Sequence, residues 1–280
     1  MVISIIGLGL LGGSFALGQK EQNKGIHVIG VDNNPHHADQ ALALGIADEI
    51  LPLEQAVAKS DLVVLATPVN VILQLIPSVL EVLPAGATLV DLGSTKEQIC
   101  QAVAHHPKRS QYVALHPIAG TEYSGPEAAF TALLQGKTMI ICEQEKSAPD
   151  SLHLVEGLCR DLDMQLRYMA SAEHDLHLAY VSHLSHISSF ALGLTVLDKE
   201  KDERNIFDMA GSGFSSTVRL AKSSPQMWAP IFTQNKKNVL ESLGAYIEQL
   251  QQFKASIESE DDARTKELMA RANDIRRILG

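Results

Sequence analysis

The sequence predicts an α/β protein, with a doubly wound, mostly parallel sheet domain over residues 1–170 and an all-helical domain over residues 171–280. Three observations carry this reading. Short β-branched runs alternate with helix-like stretches through the first half, the pattern of repeated strand–helix–strand units. A glycine-rich turn joins the first run to the first helical stretch. Beyond about residue 171 the strand signal stops, and only helical spacing of apolar residues remains.

Taken in order, residues 2–6, 27–31, 62–66 and 88–90 read as buried parallel strands, each short, apolar and bounded by turn residues. Residues 10–22, 35–44 and 71–83 lie between them with apolar positions at helical spacing. Residues 113–115 and 139–142 add two strands, and 165–168 one more. In the second half, residues 172–197, 225–253 and 261–279 read as helices, interrupted by the turn Gly211-Ser212-Gly213. Ser224 and Pro225 offer an N-cap and a first-turn proline to the second of these.

Composition narrows the function classes. Hydrophobic residues form 45% of the 280, enough for a sizeable core in two domains. The formal net charge is −10 with no basic cluster, which argues against nucleic acid or an anionic membrane as the main partner. Cys100, Cys142 and Cys159 match neither a disulfide framework nor a zinc site, so the protein reads as reduced and cytoplasmic. The apolar N-terminus is too short for a signal sequence. The most apolar region, 61–90, is broken by Pro68, Asn70, Gln74, Pro77, Glu81 and Pro84, so no membrane span is expected.

Gly7-Leu8-Gly9-Leu10-Leu11-Gly12 follows the first strand and opens the first helix, and Asp32 ends the second strand 20 residues past Gly12. This is the Rossmann-type dinucleotide fingerprint in its proper context. Gly7 permits the tight turn, Gly9 clears the way for a pyrophosphate, and Gly12 lets helix and strand pack closely. The amides at Leu10 and Leu11 and the positive end of the helix dipole face the phosphates. Asp32 accepts from the ribose hydroxyls and repels a 2′-phosphate; Asn33 and Asn34 attract none, so NAD is favoured over NADP. Thr67-Pro68 lies at the carboxyl edge of the sheet, facing the same dinucleotide.

Further candidates gather around that edge. Ser94, within Asp91-Leu92-Gly93-Ser94-Thr95-Lys96, is either a helix N-cap or a substrate contact. His116 ends a strand, and Pro117 biases it towards an extended backbone. A neutral imidazole there can take a hydroxyl proton, although a structural histidine is the competing view. His174, Ser182, His183 and His186 lie on one long helix; Ser182 and His186 share a face. The histidine spacing lacks the carboxylate partner of a helical metal site, so no metal is expected. Arg219 follows the small-residue turn and can clamp a carboxylate in bidentate fashion.

In order, the Gly-Leu-Gly-Leu-Leu-Gly-Gly-Ser fingerprint, Asp91–Lys96, the segment from His116 to Gly125, His174-Asp175, the segment from Ser182 to His186, and Gly213-Phe214 through Arg219 resemble the prephenate dehydrogenase family, arogenate dehydrogenases included. The resemblance runs nearly end to end and implies oxidative decarboxylation of prephenate with NAD in tyrosine biosynthesis. It makes His116 the base for the ring hydroxyl and Ser94 a hydrogen-bond partner of that hydroxyl and of His116. It assigns Arg219 to a substrate carboxylate, Ser182 and His186 to the pocket lining, and Glu122 and His174 to ordering the site. It also implies a homodimer joined through the helical domain, with feedback by tyrosine. Ser185 stands where the family often has proline, implying a straighter helix near His186. Ser215-Ser216 replaces a commonly charged pair and offers no carboxylate to an ammonium, which favours prephenate over arogenate. The chain's end at residue 280 leaves room for neither a regulatory domain nor a fused mutase. The competing readings are a β-hydroxyacid dehydrogenase or ketopantoate-type reductase on the same architecture, and a non-enzymatic NAD-sensing protein.

Overall fold

Continuous apolar runs become strands buried on both faces, since alternate side chains of a strand point to opposite sides. The computed structural model describes residues 1–201, 203 and 205–279. Its strands are β1 (Val2–Ile6), β2 (His27–Val31), β3 (Glu49–Ile50), β4 (Leu62–Leu65), β5 (Thr88–Asp91), β6 (Tyr112–Pro117), β7 (Thr138–Cys142) and β8 (Gln165–Met169). They form one sheet in the order β3-β2-β1-β4-β5-β6-β7-β8, with every neighbouring pair parallel except β6 and β7. Leu62 and Val64 enter the core on one face while Val63 and Leu65 enter the core on the other.

Helices cover both faces. α1 (Leu10–Gln22) brings Phe15 and Ala16 to the first core, and α2 (Pro35–Ala43) adds Ala41. α3 (Leu53–Ala58) and α4 (Val69–Val82) supply Val57, Ile72, Ile76, Val79 and Leu80 to the second. α5 (Glu97–Ala102) adds Ile99 and Cys100 to it, whereas α6 (Pro149–Asp161) returns to the first face with Val155, Leu158 and Cys159. The doubly wound, mostly parallel architecture is therefore as expected. The expectations lack β3, α3 and α6; the first two are too brief to show a period.

The order of strands reverses between β1 and β4, which places the turn after β1 and the loop after β4 side by side at the carboxyl edge. Such a switch point is where ligands bind in open α/β sheets.

After β8 the chain is helical: α7 (Ser171–Leu178), a π turn (Ala179–His183), α8 (Leu184–Glu200), α9 (Ser212–Thr217), α10 (Pro225–Gln234), α11 (Lys236–Glu258), α12 (Asp262–Ala272) and α13 (Arg276–Leu279). A π turn lies immediately upstream of the helix that carries His186. Two expectations need correcting here. The helix expected over 225–253 breaks at Asn235, whose side-chain amide donates to the Asp175 carbonyl at 2.6 Å and to His183 Nδ1 at 3.1 Å. Ser224 stands at the N-cap of α10, but its hydroxyl donates to Gln226 Oε1 instead of accepting from a first-turn amide.

Contacts divide the chain into two compact units, Met1–Asn235 and Lys236–Gly280. The first runs past the sheet because α10 docks on α4, with Trp228 and Ile231 against Val69. In the second, Asp261 caps α12 by accepting from Arg264 N–H at 2.9 Å. The Arg264 guanidinium then donates to Gln252 at 3.0 Å and to Glu267 at 2.7 Å, tying α12 to α11. Among the described residues, no helix is long and apolar enough to cross a membrane.

Candidate active site

The turn after β1 has the shape that a bound dinucleotide requires. Gly7 lies at φ +97° and donates its N–H to the Val31 carbonyl at 2.8 Å, a conformation that favours glycine. A Cβ on Gly12 would overlap Gly7 O and come within 2.9 Å of Ala66 and Ile5 side chains. A Cβ on Gly9 would meet nothing within 4 Å, so the space beside Gly9 is open. Gly9 is also the N-cap of α1 and lends no side chain, leaving the first-turn amides around Leu10 and Leu11 available to an anion.

Asp32 sits at the end of β2 with Oδ2 accepting from Leu8 N–H at 3.0 Å and Oδ1 from Asn34 N–H at 2.9 Å. Thr67 neighbours the Gly7 turn, and its buried hydroxyl has no hydrogen-bond partner among the described residues. Pro68 follows it as the N-cap of α4. An open cradle, uncapped amides, a carboxylate at the ribose end and an unsatisfied hydroxyl together fit a dinucleotide.

Near the end of β6 three side chains form a buried chain. His116 Nδ1 lies 2.8 Å from His174 Nε2, and His174 Nδ1 lies 2.7 Å from Asp175 Oδ1. An ionised carboxylate only accepts hydrogen bonds, so His174 must donate from Nδ1. Neutral His174 then accepts at Nε2, which obliges His116 to donate from Nδ1. The Nε2 of His116 is left as a bare lone pair. Burial, helped by His174, Lys96 and His183, holds His116 well below the ordinary histidine range, so it is neutral at physiological pH. Burial and the nearby Lys96, His183 and His177 push His174 down to about 2.

Asp175 does more than orient His174. Its Oδ1 also accepts Lys96 N–H at 2.7 Å, and its Oδ2 accepts Glu97 N–H at 3.0 Å. A carboxylate from α7 thus caps the start of α5, where these amides would otherwise be orphaned. Ser94 is therefore not the cap; Lys96 holds that position, and Ser94 sits half-buried in the turn after β5.

The π turn places the remaining histidines. His183 is fully buried with Nδ1 accepting from Asn235, and burial pulls it down to about 4. His186 Nδ1 donates to the Ser182 carbonyl at 3.0 Å, and its ring stacks on Trp228 with centroids 3.4 Å apart. Ser182 meets His186 through its backbone carbonyl. Ser189 donates to the Thr217 carbonyl at 3.0 Å and accepts from Ala221 N–H at 3.1 Å, so α8 grips the segment that carries Arg219. Arg219 lies 3.9 Å from Glu122, six residues beyond His116, and its charge is felt at His186.

The structure thus links His116 to His174, Glu122 to Arg219, and Ser182 to His186, and it sets Gly7, Gly12 and Thr67 side by side. Asp175, Lys96, Ser189 and Asn235 were not among the candidate site residues. Asp175 carried a signal, adjacency to His174; Ser189 and Asn235 carried none, because their partners lie 28 to 60 residues away. Among the described residues, no group of three or more His, Cys, Asp or Glu side chains is placed to hold a metal.

Comparisons with known proteins agree along the whole chain. A model of the prephenate dehydrogenase nucleotide-binding domain matches residues 15–167, and one of its dimerization domain matches residues 170–271. The prephenate dehydrogenase of Bacillus subtilis is 30% identical over 265 residues, covering 92% of this chain and 71% of that protein. A crystal structure of prephenate dehydrogenase from Aquifex aeolicus, in complex with hydroxyphenyl propionate and NAD+, matches with a TM-score of 0.91 at 31% identity, covering 100% of this chain and 98% of that one. An arogenate dehydrogenase from Synechocystis matches with a TM-score of 0.77 at 25% identity, covering 99% of each chain.

Proposed function

The chain belongs to the prephenate dehydrogenase family, and from that premise we propose that it oxidises and decarboxylates prephenate to 4-hydroxyphenylpyruvate, with NAD as cofactor, on the route to tyrosine. One observation carries the reading: the hydrogen-bond chain from Asp175 through His174 leaves a bare Nε2 on His116. Gly7, Gly9 and Gly12 with the Leu10 and Leu11 amides would hold the pyrophosphate, Asp32 the ribose, and Thr67 and Pro68 the flank of the nicotinamide half. When bound, NAD+ supplies the hydride acceptor.

The protein's own residues do the rest. His116 Nε2 takes the proton of the ring hydroxyl, and Ser94 hydrogen-bonds the same oxygen. Arg219 holds a substrate carboxylate, with His186 and Ser182 lining the pocket beside it. Glu122 orients Arg219, and His174 orients His116. Positioning is essential because the reacting atoms must come within about 3–3.5 Å of one another.

The functional division we propose is residues 1–170 and 171–280; family-model matches over residues 15–167 and 170–271 support it. The helical part pairs with a second copy. Leu240, Ile247, Leu250 and Ile257 are exposed within one face of α11 and suit such an interface. Three buried free cysteines suit the reducing cytoplasm.

Arogenate is the second reading, favoured by the carboxylate of Glu122 beside Arg219, where an ammonium could be met. Measuring NAD reduction with prephenate, arogenate and a panel of β-hydroxy acids tests both. Turnover of prephenate above arogenate is expected. Turnover of hydroxy acids alone would discard the reading, as would NAD binding without turnover of any substrate.

A further inference from the structure

Beneath the histidines lies a second buried network that the proposed chemistry does not use. Lys96 and Asp91 are an ion pair with no solvent exposure on either side chain. Asp91 also accepts the Tyr112 hydroxyl at 2.6 Å and Gly93 N–H at 2.9 Å. Tyr112 begins β6, the strand that presents His116, and Asp91 ends the neighbouring β5. Lys96 belongs to both networks, since its backbone N–H donates to the Asp175 oxygen that accepts from His174.

A buried ion pair is weak evidence of a stabilising role, because desolvation offsets the Coulomb attraction, and apolar residues of similar size often serve as well. The placement of this pair points elsewhere. We propose that Lys96 is a positioning residue for His116: its pairing with Asp91, which also accepts from Tyr112, locks the turn whose main chain holds Asp175, and so fixes the tautomers of His174 and His116. This rests on the reading of His116 as the proton acceptor.

The charge of Lys96 acts in the same direction. The groups acting on His116 are His174 on α7, His183 on the π turn and Lys96 at the start of α5, with Asp175 acting through His174. An ammonium there disfavours a second positive charge on His116 and keeps Nε2 free.

The test is Lys96→Met, alone and combined with Asp91→Asn. The pair replacement removes both charges, retains an acceptor for Tyr112, and remains foldable if the single change is not. For each variant, NAD affinity, kcat, KM and the pH profile of kcat/KM are measured, and histidine tautomers are read from imidazole 15N shifts. The proposal expects NAD affinity and KM within about twofold of the parent and kcat lower by roughly tenfold to hundredfold, as for a misplaced catalytic group. It also expects the acid limb to move up for Lys96→Met alone, and mixed tautomers at His116 and His174 in both variants. A pair-replaced variant with the parent's kcat and single tautomers would overturn it, leaving only a packing role. His116→Asn separates the two levels: if it keeps turnover, the proton-acceptor reading itself fails; if it loses turnover while the Lys96 variants match the parent, only this proposal fails.

Discussion

Lowering the pH should unfold this protein with an unusually steep dependence, because its site stores neutral histidines. In the unfolded chain an imidazole takes up a proton near pH 6.5. In the fold, burial holds His116 well below that value, His174 at about 2 and His183 at about 4. Above about pH 7.5 all three are neutral in both states and contribute nothing to pH dependence. As the pH falls through 6.5, the unfolded chain gains protons that the folded site refuses. Stability then drops by about 1.4 kcal/mol per pH unit for each histidine. By pH 5 the loss is about 2 kcal/mol apiece, roughly 6 kcal/mol together, comparable with the whole stability of an ordinary domain.

Two other groups adjust that slope. His186, also lowered by burial, steepens it, whereas Asp175, raised by burial, binds its proton more readily in the fold and trims it. Asp48 and Glu143 are lowered carboxylates whose contribution is lost only as the pH drops below about 4, outside this window. Urea unfolding followed by Trp228 fluorescence, repeated from about pH 7.5 to about pH 5, gives the slope directly. Uptake of about three protons on unfolding is expected near pH 5, and His183→Asn should remove about one. Uptake of less than one proton would refute the claim that the histidines are held neutral.

Three further outcomes bear on the site. His116→Asn should cut kcat by about 10²–10⁴-fold while NAD affinity, measured by titration, stays near the parent's. Arg219→Ala removes a charge-assisted contact of about 1.5–3 kcal/mol, so KM for the substrate should rise by roughly tenfold to a hundredfold; an unaltered KM would place the carboxylate elsewhere. Gly12→Ala forces a methyl group against Gly7 O, Ala66 and Ile5. It should destabilise the protein by about 1–3 kcal/mol and weaken NAD binding, both visible in thermal melts with and without NAD.

The sequence alone determined the parts whose signal is local. Strand runs, the Gly7–Gly12 turn, Asp32 at the end of the next strand and His116 before Pro117 are legible because period, glycine tolerance and a preceding proline act within a few residues. The alternation of strand with helix likewise dictates the doubly wound sheet. Only the tertiary structure decided which of these residues meet. The bond between His116 and His174 spans 58 residues, and the capping of α5 by Asp175 spans 79 and 78. Residue spacing along a chain says nothing about which distant surfaces pack together. The π turn and the break at Asn235 belong to the same class: apolar periodicity there permits an unbroken helix, whereas Asn235 finds its buried partners 60 and 52 residues away.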